Sequence, residues 1–203
     1  MPSVTAAPAQ RRVTLAFSSL RHLGRNPRGV HSLQLQETNP WGDAQRDRNL
    51  VIEIKHKTTG AVLHSVESNR LGRVDLSGLN LREADLSGTV LDKANLRGAD
   101  FDGAKFGYSS LSQTDLRQAN LANVDFSFAC LIGADLSGAD LTKANLRTAN
   151  FYQANLAGAN LSGATLNKAD FAEADLTGIN LNGVQFDERT RWPDGFDPAL
   201  AGA

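Results

Sequence analysis

Residues 134–151 read Ala134-Asp135-Leu136-Ser137-Gly138-Ala139-Asp140-Leu141-Thr142-Lys143-Ala144-Asn145-Leu146-Arg147-Thr148-Ala149-Asn150-Phe151. A Leu or Phe returns at every fifth residue, preceded by Asp or Asn and, one further back, by Ala. The register runs from Leu71 to Phe186 without a slip, and of its 24 centres 18 are Leu and six are Phe. From Val74 onward, Ala fills 15 of the 23 positions two before a centre, and Asp or Asn fills 17 of the 23 positions one before.

A period of five fits neither regular element alone. On an α-helix each step of five turns about 500°, a drift of about 140° per repeat, so the leucines would wind around every side. A continuous strand needs a period of two. The two requirements meet in a squared coil. The Ala and Leu positions point inward, the Asp/Asn between them points outward, and the last two residues turn a corner. Four such sides close a coil of roughly 20 residues, and coils stack at about 4.8 Å. Small Ala and large Leu then share a narrow interior.

This repeat resembles the pentapeptide-repeat family over residues 71–186. The resemblance implies an all-β fold, a right-handed quadrilateral β-helix of about six coils, and periods of this kind are read as solenoids in general. The ending Trp192-Pro193-Asp194-Gly195-Phe196-Asp197 is also similar to the tails of many bacterial members.

The flanks follow from the repeat. Residues 49–70 read as a β-hairpin with its turn at Thr58-Thr59-Gly60, placed to plug the open apolar end of the first coil. His56 and His64 are positioned to face each other across it, but no Cys or carboxylate in ligand spacing joins them, and no metal is expected. Residues 187–203 read as a C-terminal cap, with Trp192 and Phe196 over the last coil and Pro193 and Pro198 preventing a further strand. Residues Val74, Leu79, Ile179 and Val184 replace Ala in the outer coils, where the interior has more room.

Residues 1–48 differ from the rest. They carry Arg11, Arg12, Arg21, Arg25 and Arg28 with no acidic residue before Glu37. They read as a disordered or poorly ordered leader, or as an upstream start; the alternative is an organelle transit peptide over residues 1–36. The Arg11-Arg12 pair suits twin-arginine export badly, because the apolar run behind it breaks at Ser18-Ser19 and Arg21. One Cys, four His and no long apolar run suit a soluble, cytoplasmic protein without a disulfide framework. The net charge of −1 hides +5 over residues 1–70, −4 over 71–186 and −2 over 187–203.

The repeat offers no enzyme. It holds no His, and its one thiol, Cys130, has no base beside it in sequence. The Ser-x-Gly units are corners. The nine Asp before a centre hold turns, as Asp and Asn do, and only Asp115 and Asp135 stack as neighbours 20 apart. No cofactor is expected. An interaction scaffold for an unknown protein partner fits best, as a monomer or an end-to-end homodimer. The family resemblance implies an alternative, protection of DNA gyrase by imitating duplex DNA. A net −4 over 116 residues is weak for that purpose, and the register has no inserted loop. No basic stripe supports direct nucleic-acid binding, and no membrane association is expected.

Folding the chain into 20-residue coils places Val90, Tyr108, Phe128, Cys130, Ile132 and Tyr152 around one corner, where other outward positions are small, polar or charged. Clustered exposed aromatics mark an interface. The competing reading is that the stacked pairs only tie adjacent coils together.

Overall fold

The computed structural model describes residues 11–13, 50–68 and 70–203. From Leu71 the chain turns after every fifth residue. Parallel bridges join Asp75, Asn95, Asp115, Asp135, Asn155 and Asp175, each 20 residues from the next. Three further columns rise from Asn80, Asp85 and Val90. The result is a four-sided coil six rungs high, and its sides are named here by those first residues.

Each corner closes with a backbone bond from the Ala position to the preceding centre, as in Ala134 N–H to the Leu131 carbonyl at 3.0 Å. The residue before that Ala takes positive φ, which a type II turn demands. Glycine suits it, yet Lys143 (58°), Gln118 (57°) and the aromatics Tyr108 and Phe128 (both 60°) also occupy it. Between rungs the main chain is paired throughout the middle, for example Leu121 N–H to Asp140 O at 2.7 Å.

The Asp/Asn position earns its place by capping. All 17 of these side chains accept, through Oδ1, the backbone N–H two residues on. Asp and Asn do this equally well. They differ toward the next rung, where an Asn above an Asp donates its amide: Asn95 to Asp75 at 3.0 Å, Asn120 to Asp100 at 2.8 Å, Asn145 to Asp125 at 2.9 Å. Where Asp115 meets Asp135 no amide is present. Arg117 fills the gap, donating Nε and Nη2 to Asp115 at 2.8 and 2.6 Å and lying 3.8 Å from Asp135.

Centres and Ala positions in the middle rungs are 0–1% exposed, so the tube is filled by side chains. Phe101, Phe106 and Phe126 meet at about 5 Å between centroids. Phe151, Phe171 and Trp192 form a second stack at 5.0 and 5.3 Å.

The N-terminal end is closed by strands β1 (Arg11–Val13), β2 (Leu50–His56) and β3 (Val62–Glu67), with β4 (Ala84–Asp85) belonging to the first coil. Strand β2 pairs antiparallel with β3 and with β4, and parallel with β1. Its Ile52 and Ile54 join the core. Lys57 clamps the junction, reaching Glu83 at 2.7 Å and the Gly103 carbonyl at 2.6 Å. The two histidines do not face each other. The unbroken register that pairs Val51 with Glu67 sets His64 across from Ile54, and His56 Nδ1 instead accepts the N–H groups of Thr58 and Thr59.

At the other end Asp187–Thr190 adds one residue, so Arg191 pairs with Asp170 at a spacing of 21. Trp192 thereby continues the Phe column, and a 3-10 turn at Pro198–Ala201 finishes the chain. Apart from the β1 backbone, the leader and transit-peptide readings of residues 1–48 lie outside the described residues.

Candidate interaction face

The Val90 side carries the predicted patch. Its column runs Val90, Ser110, Cys130, Asn150, Asp170, Arg191. Tyr108 and Phe128 stand on the corner entering this side, and Ile132 and Tyr152 on the corner leaving it. The Tyr108 and Phe128 rings lie flat on one another, with centroids 4.8 Å apart and planes 2° from parallel. Both project into solvent, at 70% and 50% exposure, and Val90 is 59% exposed. Among the described residues only Val62, Phe186 and Leu200 are comparable large apolar side chains in the open, and none is on this side.

The remaining three predicted residues are half-buried. The Cys130 thiol lies 3.5 Å from the Ser112 hydroxyl. Tyr152 hydrogen-bonds Glu173, which pushes its phenol above the usual tyrosine pKa, and Gln153 donates to the same carboxylate at 2.8 Å. Tyr152 is therefore tied to the rung above it rather than offered outward. Between Val90 and Cys130 stands Ser110, whose hydroxyl donates to Asp92 at 2.6 Å. Polar contacts thus divide what the sequence reads as one apolar patch. Its open part is Val90, Tyr108 and Phe128, and the leaving corner is a polar, internally bonded margin.

No catalytic arrangement forms here. The hydroxyl of Ser112, not a base, is what approaches Cys130. Among the described residues no group of three or more His, Cys, Asp or Glu is placed to hold a metal ion, and no helix is long and apolar enough to cross a membrane.

Segments 70–107, 101–138, 109–147 and 144–183 match the family model of pentapeptide repeats, in eight copies, and together span more than half of the chain. The chain belongs to the pentapeptide-repeat family. The four-sided coil is accordingly the right-handed quadrilateral β-helix of pentapeptide-repeat proteins. Similar solved structures include a pentapeptide repeat protein from the Arabidopsis thaliana thylakoid lumen, 32% identical over 47% of this chain and 66% of that one, with a TM-score of 0.46. Rfr23 from the cyanobacterium Cyanothece 51142 is 32% identical over 61% of this chain and 87% of its own, with a TM-score of 0.47. QnrB1, a plasmid-mediated fluoroquinolone resistance protein, is 17% identical over 64% and 84%, with a TM-score of 0.32. No curated protein matches the chain.

Two features of this pentapeptide-repeat protein escape sequence reasoning. One is the Lys57–Glu83–Gly103 clamp, which joins residues far apart in the chain and outside the repeat period. The other is an open cleft of about 610 Å³ between the last rung and the C-terminal tail. It depends on where the tail crosses, which no periodicity encodes.

Proposed function

We propose that this pentapeptide-repeat protein is a non-catalytic scaffold whose Val90 side docks a protein partner. One observation carries the reading: Tyr108 and Phe128 are stacked and exposed at a corner position of positive φ. A left-handed conformation costs a non-glycine residue roughly 1–2 kcal/mol, and the same corner column holds Gly88, Thr148 and Lys168 in other rungs. Two large aromatics there are a poor choice for the coil alone. They are a good choice for binding, since rigid aromatic anchors dominate interface energies.

The strain supplies a clean test. In Tyr108→Gly/Phe128→Gly the lost stacking, about 0.5–1.5 kcal/mol, is offset by relief of the corner, so the coil stays folded. Capture from native lysate with the full chain and with this variant should then differ by the loss of a specific protein. Identical capture by the two folded baits would refute the reading.

Gyrase protection by duplex mimicry is the competing function. The charge distribution disfavours it, because Arg82 engages Asp100 and Asp102 and Arg117 engages Asp115, so cations interrupt the carboxylates along those sides. Added to a gyrase supercoiling reaction poisoned by a fluoroquinolone, the chain should give no protection.

A further inference from the structure

Three sides of the last rung are closed by later residues. Leu166 N–H reaches Gln185 O at 2.6 Å, Phe171 N–H reaches Arg191 O at 2.8 Å, and Leu181 N–H reaches Ala201 O at 3.0 Å. The Asp75 side is different. Leu176 N–H, Gly178 N–H and the Ala174 carbonyl, which every rung below uses to bind its successor, have no partner among the described residues. The tail crosses this side without pairing to it, and the 610 Å³ cleft lies between, lined by residues 174–179, 193–197, 200 and 201. The core beneath is incompletely covered. Ala174, Leu176 and Ile179 are 6–8% exposed, against 0–1% in the middle rungs. Asp175, Asp194 and Asp197 line the cleft, and among the described residues no Lys or Arg does.

We infer that this cleft binds an extended peptide of the pattern small–(Asn or basic)–Leu, which adds to the Asp75 side as one further rung. An unpaired strand edge is the standard surface for such addition. The chemistry of the occupant is written in the same side lower down, where residues 93–98, Lys-Ala-Asn-Leu-Arg-Gly, cover the first rung. There Asn95 N–H donates to Val74 O at 2.8 Å, Leu76 N–H to Asn95 O at 2.8 Å, and Gly78 N–H to Arg97 O at 2.9 Å. The Asn95 amide donates to Asp75 at 3.0 Å. The unpaired groups at Ala174, Leu176 and Gly178, with Asp175 beside them, are the same set 100 residues on. The ligand's Leu meets Leu176 and Phe196, and its basic residues meet the three carboxylates.

The probe is the blocked hexapeptide acetyl-Lys-Ala-Asn-Leu-Arg-Gly-amide added to the full chain, read by amide hydrogen exchange. The expected result is at least about tenfold slower exchange at Leu176 and Gly178, with weaker binding by the Asn→Asp peptide, whose carboxylate would face Asp175. Methylating the probe's Asn nitrogen, the donor to Ala174, should abolish binding. Absence of protection at about 1 mM peptide, protection elsewhere on the chain, or equal binding by the methylated probe would overturn the inference. So would protection of the two amides in concentrated protein without peptide, lost on dilution, because the occupant would then be a second copy.

Discussion

Replacing Leu121 by Ala tests the interior most directly. Leu121 is fully buried in a central rung, in the column of Phe101 and Leu141. The substitution removes three carbons, roughly 2.4 kcal/mol of transfer free energy at about 0.8 kcal/mol each. A cavity term adds to it, and here the walls cannot close. The rungs above and below are held at fixed spacing by Leu121 N–H to Asp140 O at 2.7 Å and Asn120 N–H to Ala99 O at 3.0 Å. The cost should therefore fall toward the upper part of the measured range for such changes, about 3–5 kcal/mol. At about 2–4 °C per kcal/mol for a chain of this size, Tm drops by about 6–20 °C. Leu176→Ala, at the edge of the open cleft and already 6% exposed, should cost less, about 1–2.5 kcal/mol. Ser137→Ala, at a corner where only backbone groups are engaged, the N–H by Asp135 and the carbonyl by Gln118 N–H, should cost under about 0.5 kcal/mol. Urea unfolding followed by far-ultraviolet circular dichroism gives all three. Equal costs for Leu121→Ala and Ser137→Ala, or a greater cost at Leu176 than at Leu121, would refute the assigned interior and its rigidity.

Arg117→Ala leaves Asp115 facing Asp135. Hydrogen bonds from Arg117 hold the Asp115 carboxyl below the usual carboxylate range, so its stabilisation is present above the unfolded value of about 3.9 and fades as pH falls through the lower folded value. For this partly exposed pair the variant should be weaker by about 0.2–1 kcal/mol at pH 7. That deficit should shrink in acid urea titrations, and a pH-independent deficit would count against the ion network. In Asn120→Asp the amide bond to Asp100 is exchanged for like charges against Asp100 and Asp140, which should destabilise by up to about 1 kcal/mol near neutrality. Thermal melts should show the loss recovered at low pH. Gly103 has φ of 70°, and a Cβ there would lie 2.5 Å from Glu83 Oε1. Gly103→Ala should cost about 1–2 kcal/mol and speed hydrogen exchange of the Lys57 amide, which is bonded to the Glu83 carbonyl at 2.7 Å; unchanged exchange would show that the clamp does not hold the cap.

The candidate site was legible only in part. Stacking of Tyr108 on Phe128 follows from a spacing of 20 residues, because the period alone fixes which corners coincide. The reach of Tyr152 to Glu173 does not follow, since it depends on a rotamer and on a bond between neighbouring rungs. Sequence columns therefore overstate the patch: they report that Ile132 and Tyr152 share a side with Phe128, but not that they are half-buried. The histidine pair fails for a related reason. Across the β2–β3 hairpin, the regular register that pairs Val51 with Glu67 puts His64 opposite Ile54, and the position of a turn in the sequence does not by itself fix which residues it pairs.

The repeat itself needed no structure to be read. Five-residue periodicity prescribes the inward Ala and Leu, the outward Asp and Asn and the corner pair, because each rung meets an identical neighbour and every contact repeats locally. Trp192, too, stands where the Phe151 and Phe171 column leads, once one added residue is allowed. What the tertiary structure decided lies where the repetition stops. The Lys57 clamp, the crossing of the tail and the unpaired edge at Leu176 and Gly178 join segments with no shared period, and their positions are set by packing at the ends of the tube.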